Sequence, residues 1–174
     1  MGNISINLSD VQGFVLSDFN SLPQSRYVML QVTDAAAAKS FINRVTDSIT
    51  NAKTGVSGRG LNIAFTAPGL LALGLKESNM TTFVREFREG MVTPHRQRLL
   101  GDFDSSAPEN WAWGGPKNEV VHVLLLVFAA DANGLETYYN ELNAMYTSSG
   151  FREAFKIDNQ VLPGNKEHFG FRDG

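Results

Sequence analysis

The chain closes on Glu-His-Phe-Gly-Phe-Arg-Asp-Gly, residues 167–174, where a single carboxylate, Asp173, is set among glycines and phenylalanines. Chain ends usually fray, so two aromatic residues in such a place call for a reason. On residue types alone Asp173-Gly174 reads as a turn dipeptide, because Asp-Gly readily supplies the positive φ of tight turns. Other side chains capable of chemistry are scattered. His95, His122 and His168 stand far apart with no helical i, i+4 pair, so no zinc constellation is written locally. His122 falls in an apolar run and reads as a satisfied core residue. The glycine-rich stretch Gly55 to Gly60 lacks both the Gly-Lys-Ser/Thr ending of a phosphate loop and GxGxxG spacing. Arg85, Arg88, Arg96 and Arg98 are interleaved with Glu86 and Glu89, the pattern of a solvated helix face rather than of an RNA contact. Trp111 and Trp113 could stack on a substrate or relay electrons, but large aromatics in a structureless loop more often pin it to the core. No GxSxG is present and no Ser-His-Asp arrangement can be placed.

Composition narrows the setting. The 174 residues are 43% hydrophobic and 19% charged, enough to bury a real core. A net charge of -3 provides no general basic field for nucleic acid or anionic membrane. Cysteine is absent, which removes disulfides, thiolate metal sites and a cysteine nucleophile. The first residues, MGNISINLSDVQG, show no basic region followed by an apolar core, and Ile6 stands where myristoylation requires Ser or Thr. The longest strongly apolar stretch, Val120 to Ala130, is broken by His122 and too short to span a bilayer. The expected compartment is the cytoplasm, with no membrane partner.

The elements that must hold these residues show a repeat. Arg26 to Thr33 is a β-branched and aromatic strand, and Asp34 offers an N-cap to a helix whose apolar face runs through Ala38, Phe41, Ile42, Val45 and Ile49. Leu61 to Leu75 starts as a strand and turns at Pro68-Gly69 into a short helix. Residues 81–101 read as helical with a break near Gly90 and Pro94, and residues 101–117 have no period of their own. Val120 to Ala130 is a strongly buried strand, Asp131 caps a second long helix, and Phe151 to Leu162 is the last strand.

Laying Asp34 on Asp131 aligns Ala38 with Leu135, Phe41 with Tyr138, Val45 with Leu142 and Ile49 with Tyr146. The order is β-α-β, an insertion over about residues 67–118, then β-α-β. This predicts an α+β, ferredoxin-like domain over residues 1–174, a four-stranded antiparallel sheet with both long helices on one face. The other face then needs cover, from residues 80–100, from the long loop, or from a different polypeptide.

Gly170-Phe171-Arg172-Asp173-Gly174 is a GxxDG segment that closely resembles the signature of the dye-decolorizing peroxidases, a haem-peroxidase family. The segments DVQGFVL, LNIAFTAPGLLALGL and FREGMVTPHRQRLLGD, the last leading to the Trp111 loop, also resemble that family in the expected order. The family builds each subunit from two ferredoxin-like halves facing one another in a dimeric α+β barrel, which answers the need for cover on the open sheet face.

The resemblance implies haem b as cofactor, hydrogen peroxide as oxidant and dyes, phenolics or similar small molecules as electron donors. It makes Asp173 the distal acid-base residue: peroxide must give up a proton, and the same proton must return to its outer oxygen for the O–O bond to break. Gly170 and Gly174 would let the backbone approach the porphyrin, with Phe171 walling the pocket or packing into the sheet. Arg172 is not the family's distal arginine, which lies beyond this chain's end. The axial histidine a haem peroxidase needs comes in this family from the second half of the polypeptide, so no metal ligand is assigned here. His168, beside the distal motif, cannot replace it. The expected partner is therefore a C-terminal half, on the same or a separate polypeptide, with homo-oligomers also open; alone, the chain is expected to show little or no peroxidase activity. Rival readings are a deferrochelatase-like or chlorite-dismutase-like haem protein, and a non-catalytic ferredoxin-like assembly module.

Overall fold

A computed structural model describes residues 6–17, 19–159, 162, 164 and 166–171. The first strand, β1 (Gln24–Val32), leads through Asp34 into helix α1 (Ala35–Val45). Asp34 is extended and its carboxylate accepts the amides of Ala36 and Ala37, the N-cap its position promised. The helix proper stops at Val45 and tightens into a 3-10 turn over Thr46–Ser48, so Ile49 meets the core from beyond the helix rather than on its face. Strand β2 (Arg59–Phe65) follows. Four short helices then come before the third strand: α2 (Ala67–Ala72), α3 (Glu77–Met80), α4 (Arg85–Glu89) and α5 (Pro94–Leu100). Pro68 and Pro94 sit in the first turns of α2 and α5, where no amide donor is needed. Strand β3 (Val123–Ala129), helix α6 (Ala132–Thr147) and strand β4 (Phe151–Asn159) complete the second unit, with Asp131 capping α6 through the Gly134 amide.

All pairings are antiparallel and the strand order is β2-β3-β1-β4, the ferredoxin-like arrangement. The apolar run from Val120 predicts a strand that starts there, whereas β3 begins at Val123. His122 ends the ladder: its amide donates to the Leu30 carbonyl at 2.8 Å, its Nδ1 accepts the Val32 amide at 2.9 Å, and its carbonyl takes the Thr66 amide at 3.1 Å. A side chain on residue 69 would collide with that same carbonyl, so Gly69 is what lets α2 lie against the strand start. For the last strand, β4 ends at Asn159, and residues 160, 161 and 163 lie outside the described residues.

Alternation along the strands separates two layers. On the helix-bearing face, Val28, Leu30, Leu61, Ile63, Val123, Leu125 and Val127 pack with Phe41, Val45, Leu135, Leu142 and Tyr146. Phe41 meets Tyr146 and Phe151 edge to face, with ring centroids 6.4 and 5.5 Å apart. Each such side chain contributes roughly 1.5–3 kcal/mol on burial.

The opposite face takes part of its cover from Phe14, Phe19 and Leu22, a source not expected from the sequence. Phe19 and Leu22 pack on Leu126 and Phe128, and Phe14, Phe19 and Phe128 form a ring triad with centroids 4.9 to 5.7 Å apart. Gly60 leaves room for the contact, since a Cβ there would stand 3.1 Å from the Phe19 ring and crowd it. Gln12 closes the outer edge of β2: its side-chain amide donates to the Ile63 carbonyl and accepts the Ile63 amide, both at 2.8 Å, standing in for a neighbouring strand. The cover does not extend to β4, where Ile157, the register partner of Tyr27, remains 41% exposed.

Candidate functional site

Of the residues assigned to the site from sequence, Gly170 and Phe171 are described; Asp173 and Gly174, with Arg172, lie outside the described residues. The chain closes a small loop here. The Glu167 amide donates to the Phe171 carbonyl and the Gly170 amide to the Glu167 carbonyl, both at 2.8 Å. Gly170 holds φ at 88°, a left-handed conformation that L side chains resist, and among the described residues beyond its chain neighbours no atom lies within 4 Å of the place a Cβ would take. Phe169 and Phe171, 70% and 73% exposed, stand with ring centroids 6.4 Å apart and planes tilted by 33°. The segment thus presents a bare stretch of backbone beside two open aromatic rings. That fits one side of a large planar apolar group such as haem. His168 is exposed on the same loop. Among the described residues no three His, Cys, Asp or Glu side chains gather to hold a metal ion.

His122 is held by its hydrogen bonds. Because Nδ1 accepts the Val32 amide, the ring proton of the neutral form belongs on Nε2, and partial burial lowers its pKa below the usual histidine value.

A polar cluster that sequence reasoning missed lies between α6 and the outer strand. Tyr146 and Tyr139 both donate to Glu153 Oε2, at 2.6 and 2.9 Å, and Lys156 Nζ donates to the Tyr139 hydroxyl at 2.8 Å. Burial, with the hydrogen bond to Glu153 next in importance, pushes the Tyr146 hydroxyl well above its usual pKa. Beside it Arg26 forks onto Asp158 at 2.5 and 2.9 Å, reaches Glu136 at 2.9 Å, and stacks 4.5 Å above the Tyr139 ring. The Arg26 hydrogen bond holds the Asp158 carboxyl below the usual carboxylate range. The signal was available: Tyr139 and Tyr146 are seven apart on one helix, and Arg26, Lys156 and Asp158 are charges written into strands. The geometry is that of a partly buried network, in which Glu153 and Lys156 of β4 reach across the layer to tyrosines of α6 and Asp158 pairs within the sheet with Arg26.

Arg85, Arg88 and Arg98 are exposed, as on a solvated face, whereas the Arg96 side chain is only 19% exposed and its buried Nε has no hydrogen-bond partner among the described residues. Arg85 pairs with Glu89 at 2.7 Å and Arg96 with Glu86 at 3.0 Å. Trp111 and Trp113, expected to pin their loop to the core, are not core residues: Trp111 is partly buried and Trp113 is 45% exposed. No helix among the described residues is long and apolar enough to cross a membrane.

Comparison with solved structures finds the same fold. A DyP-type peroxidase from Anabaena superposes with a TM-score of 0.82 at 23% identity, covering 96% of this chain and 39% of that one. A decolorizing peroxidase from Auricularia auricula-judae gives 0.78 at 20% identity, over 97% of this chain and 37% of that one. A dye-decolorizing peroxidase in complex with 2,6-dimethoxyphenol gives 0.78 at 24% identity, over 98% and 38%. The chain thus spans well under half the length of these structures. No curated protein sequence matches. A family model described as the DyP dimeric alpha+beta barrel domain matches residues 10–163, nearly the whole of the described fold. The chain belongs to that family of DyP-type peroxidase domains, and its sheet, helices and N-terminal cover are the family's N-terminal half.

Proposed function

We propose that this chain supplies the distal half of a haem-dependent peroxidase, which reduces hydrogen peroxide while oxidising dyes, phenolics or similar small donors. The observation that carries the reading is the family match over residues 10–163, followed directly by a loop with an open, glycine-bent backbone and two exposed aromatic rings. In this reading Gly170, Phe171 and Gly174 would lie against haem b, the two glycines allowing close approach of the backbone. When bound, haem supplies the redox chemistry that side chains lack. Asp173 accepts a proton from incoming peroxide and returns it to the leaving oxygen. The axial histidine comes from a C-terminal half that docks on the sheet face left open beside Ile157; apolar surface of that kind is otherwise a liability.

The test is assembly. The chain combined with a polypeptide carrying the axial histidine should take up haem and oxidise 2,6-dimethoxyphenol in a peroxide-dependent way, whereas the chain with haem alone should show little turnover. If the assembled protein instead releases iron from haem, turns over chlorite, or does neither in the presence of bound haem, the peroxidase reading is wrong.

A further inference from the structure

We propose that the segment between β2 and β3 carries a binding site for an uncharged planar aromatic molecule, formed by Met91, Trp111 and Trp113 and separate from the loop at residues 167–171. The chain has two tryptophans, and both line one pocket of about 480 Å³, together with Met91, Ala112 and Gly114. That volume lies within the range of small-molecule pockets, roughly 300–1,000 Å³. Neither indole has been drawn into the core, and Met91 beside them is 49% exposed.

The wall of the pocket is tied down without any ligand. The Trp111 Nε1 proton is donated to the Ser106 carbonyl at 2.8 Å, and Asn110 Nδ2 reaches the Asp104 carbonyl at 2.9 Å. Asn118 braces the loop that carries the two indoles, its Oδ1 accepting the Gly115 amide at 2.8 Å and its Nδ2 donating to the Ala112 carbonyl at 3.3 Å. Gly115 seats so closely on the Pro108 carbonyl that no side chain would fit. On the other side α4 stops at Gly90, with φ at 66°, which turns the chain so that Met91 reaches the pocket. A wall ordered in advance spares a ligand the cost of ordering it.

The lining also selects. No lining side chain is charged, and the one strong donor of Trp111 is already used within the loop. Indole faces, a thioether and the Trp113 N–H remain, which favour offset or edge-on contact with another aromatic ring, sulfur-to-ring contact and one hydrogen bond to a ligand oxygen. A concave site of about 480 Å³ lined by five residues from two short stretches has the size of a small-molecule pocket, and the occupant proposed is a single small aromatic molecule. The inference uses no haem and none of the residues assigned to it, and it stands or falls apart from the peroxidase reading.

The test reads the two indole N–H signals of the uniformly ¹⁵N-labelled 174-residue chain during titration with 2,6-dimethoxyphenol, with cyclohexanol as a non-aromatic control. The expected result is a saturable shift of both signals with the phenol, half-complete in the low-millimolar range or below, and none of comparable size with cyclohexanol. Trp113→Leu, at an exposed position, should abolish the shift at Trp111 while leaving the β3 amide signals in place, and Met91→Ala should weaken binding several-fold. A linear, non-saturating response, an equal response to cyclohexanol, or a shift at Trp111 that survives both substitutions overturns the proposal. No peroxide or haem is present, so failure of the peroxidase reading leaves these outcomes unchanged.

Discussion

On the helix-bearing face of the sheet, Phe41, Tyr146, Leu30, Leu61 and Leu125 lose all contact with water, and even the charged Glu153 and Lys156 of β4 find tyrosine partners on α6. On the opposite face a short N-terminal segment lays Phe14, Phe19 and Leu22 over β2 and β3 and goes no further, leaving Ile157 on β4 partly exposed. The first face is what holds the chain folded. The second is where it has apolar surface to offer, and a family whose domain is described as a dimeric alpha+beta barrel has a use for such a face.

Substitution on each face should break the symmetry between them. Phe41→Ala removes a fully buried ring and should cost about 3–5 kcal/mol, read as a fall in the urea midpoint at constant slope. Ile157→Ala, at a 41% exposed position, should cost the isolated chain less than about 1 kcal/mol. Equal losses at the two positions would mean that the second face is closed within the chain itself.

A smaller effect tests the polar part of the helix-bearing face. Glu153→Gln takes a charged acceptor from two tyrosine hydroxyls and a counter-charge from Lys156, 3.7 Å away. The expected loss is about 1.5–3 kcal/mol, the range for hydrogen bonds to charged groups. Chemical unfolding at neutral pH measures it, and an unchanged midpoint would show that the network is not needed to close the layer.

Much of this architecture is legible in the sequence, because local signals and tertiary structure agree. Asp34 and Asp131 cap the two long helices at the places their side chains predict, and the 3-4-7 spacing of Ala38, Phe41 and Val45 returns as buried positions. What escaped notice depends on contacts between residues far apart in the chain. Phe19 meets Gly60 and Phe128, and Gln12 imitates a strand beside Ile63, which no window of sequence displays. β3 starts later than its apolar run suggests for a related reason: His122 is spent on the Val32 amide, a partner ninety positions away. At the candidate site, the resemblance named Gly170 and Phe171, whose open, glycine-bent loop the structure describes, while the acid itself lies outside the described residues.

The smallest effect expected is a pH dependence at His122. Its pKa is lowered in the folded chain by burial, so the unfolded chain takes up the proton first. Stability from this group is therefore complete above the unfolded value of about 6.5 and declines as pH falls below it toward the lowered folded value. Comparing midpoints from pH 7.5 to 5 should show that His122→Asn, whose amide oxygen can still accept the Val32 N–H, flattens this slope. A slope identical in the two proteins would assign it to other groups.

The central claim is that the chain brings a proton-transfer carboxylate, Asp173, to a haem whose axial ligand lies elsewhere. The most direct measurement is stopped-flow mixing of the assembled, haem-loaded protein with hydrogen peroxide, comparing the parent with Asp173→Asn. The substitution preserves shape, so haem absorbance before mixing should be nearly unchanged, while the peroxide-dependent absorbance change should slow by about 10²–10⁴-fold, as expected for lost general acid-base catalysis. An Asp173→Asn protein that reacts with peroxide at the parent rate would contradict the account and leave Asp173 as no more than the turn residue that its neighbour Gly174 suggests.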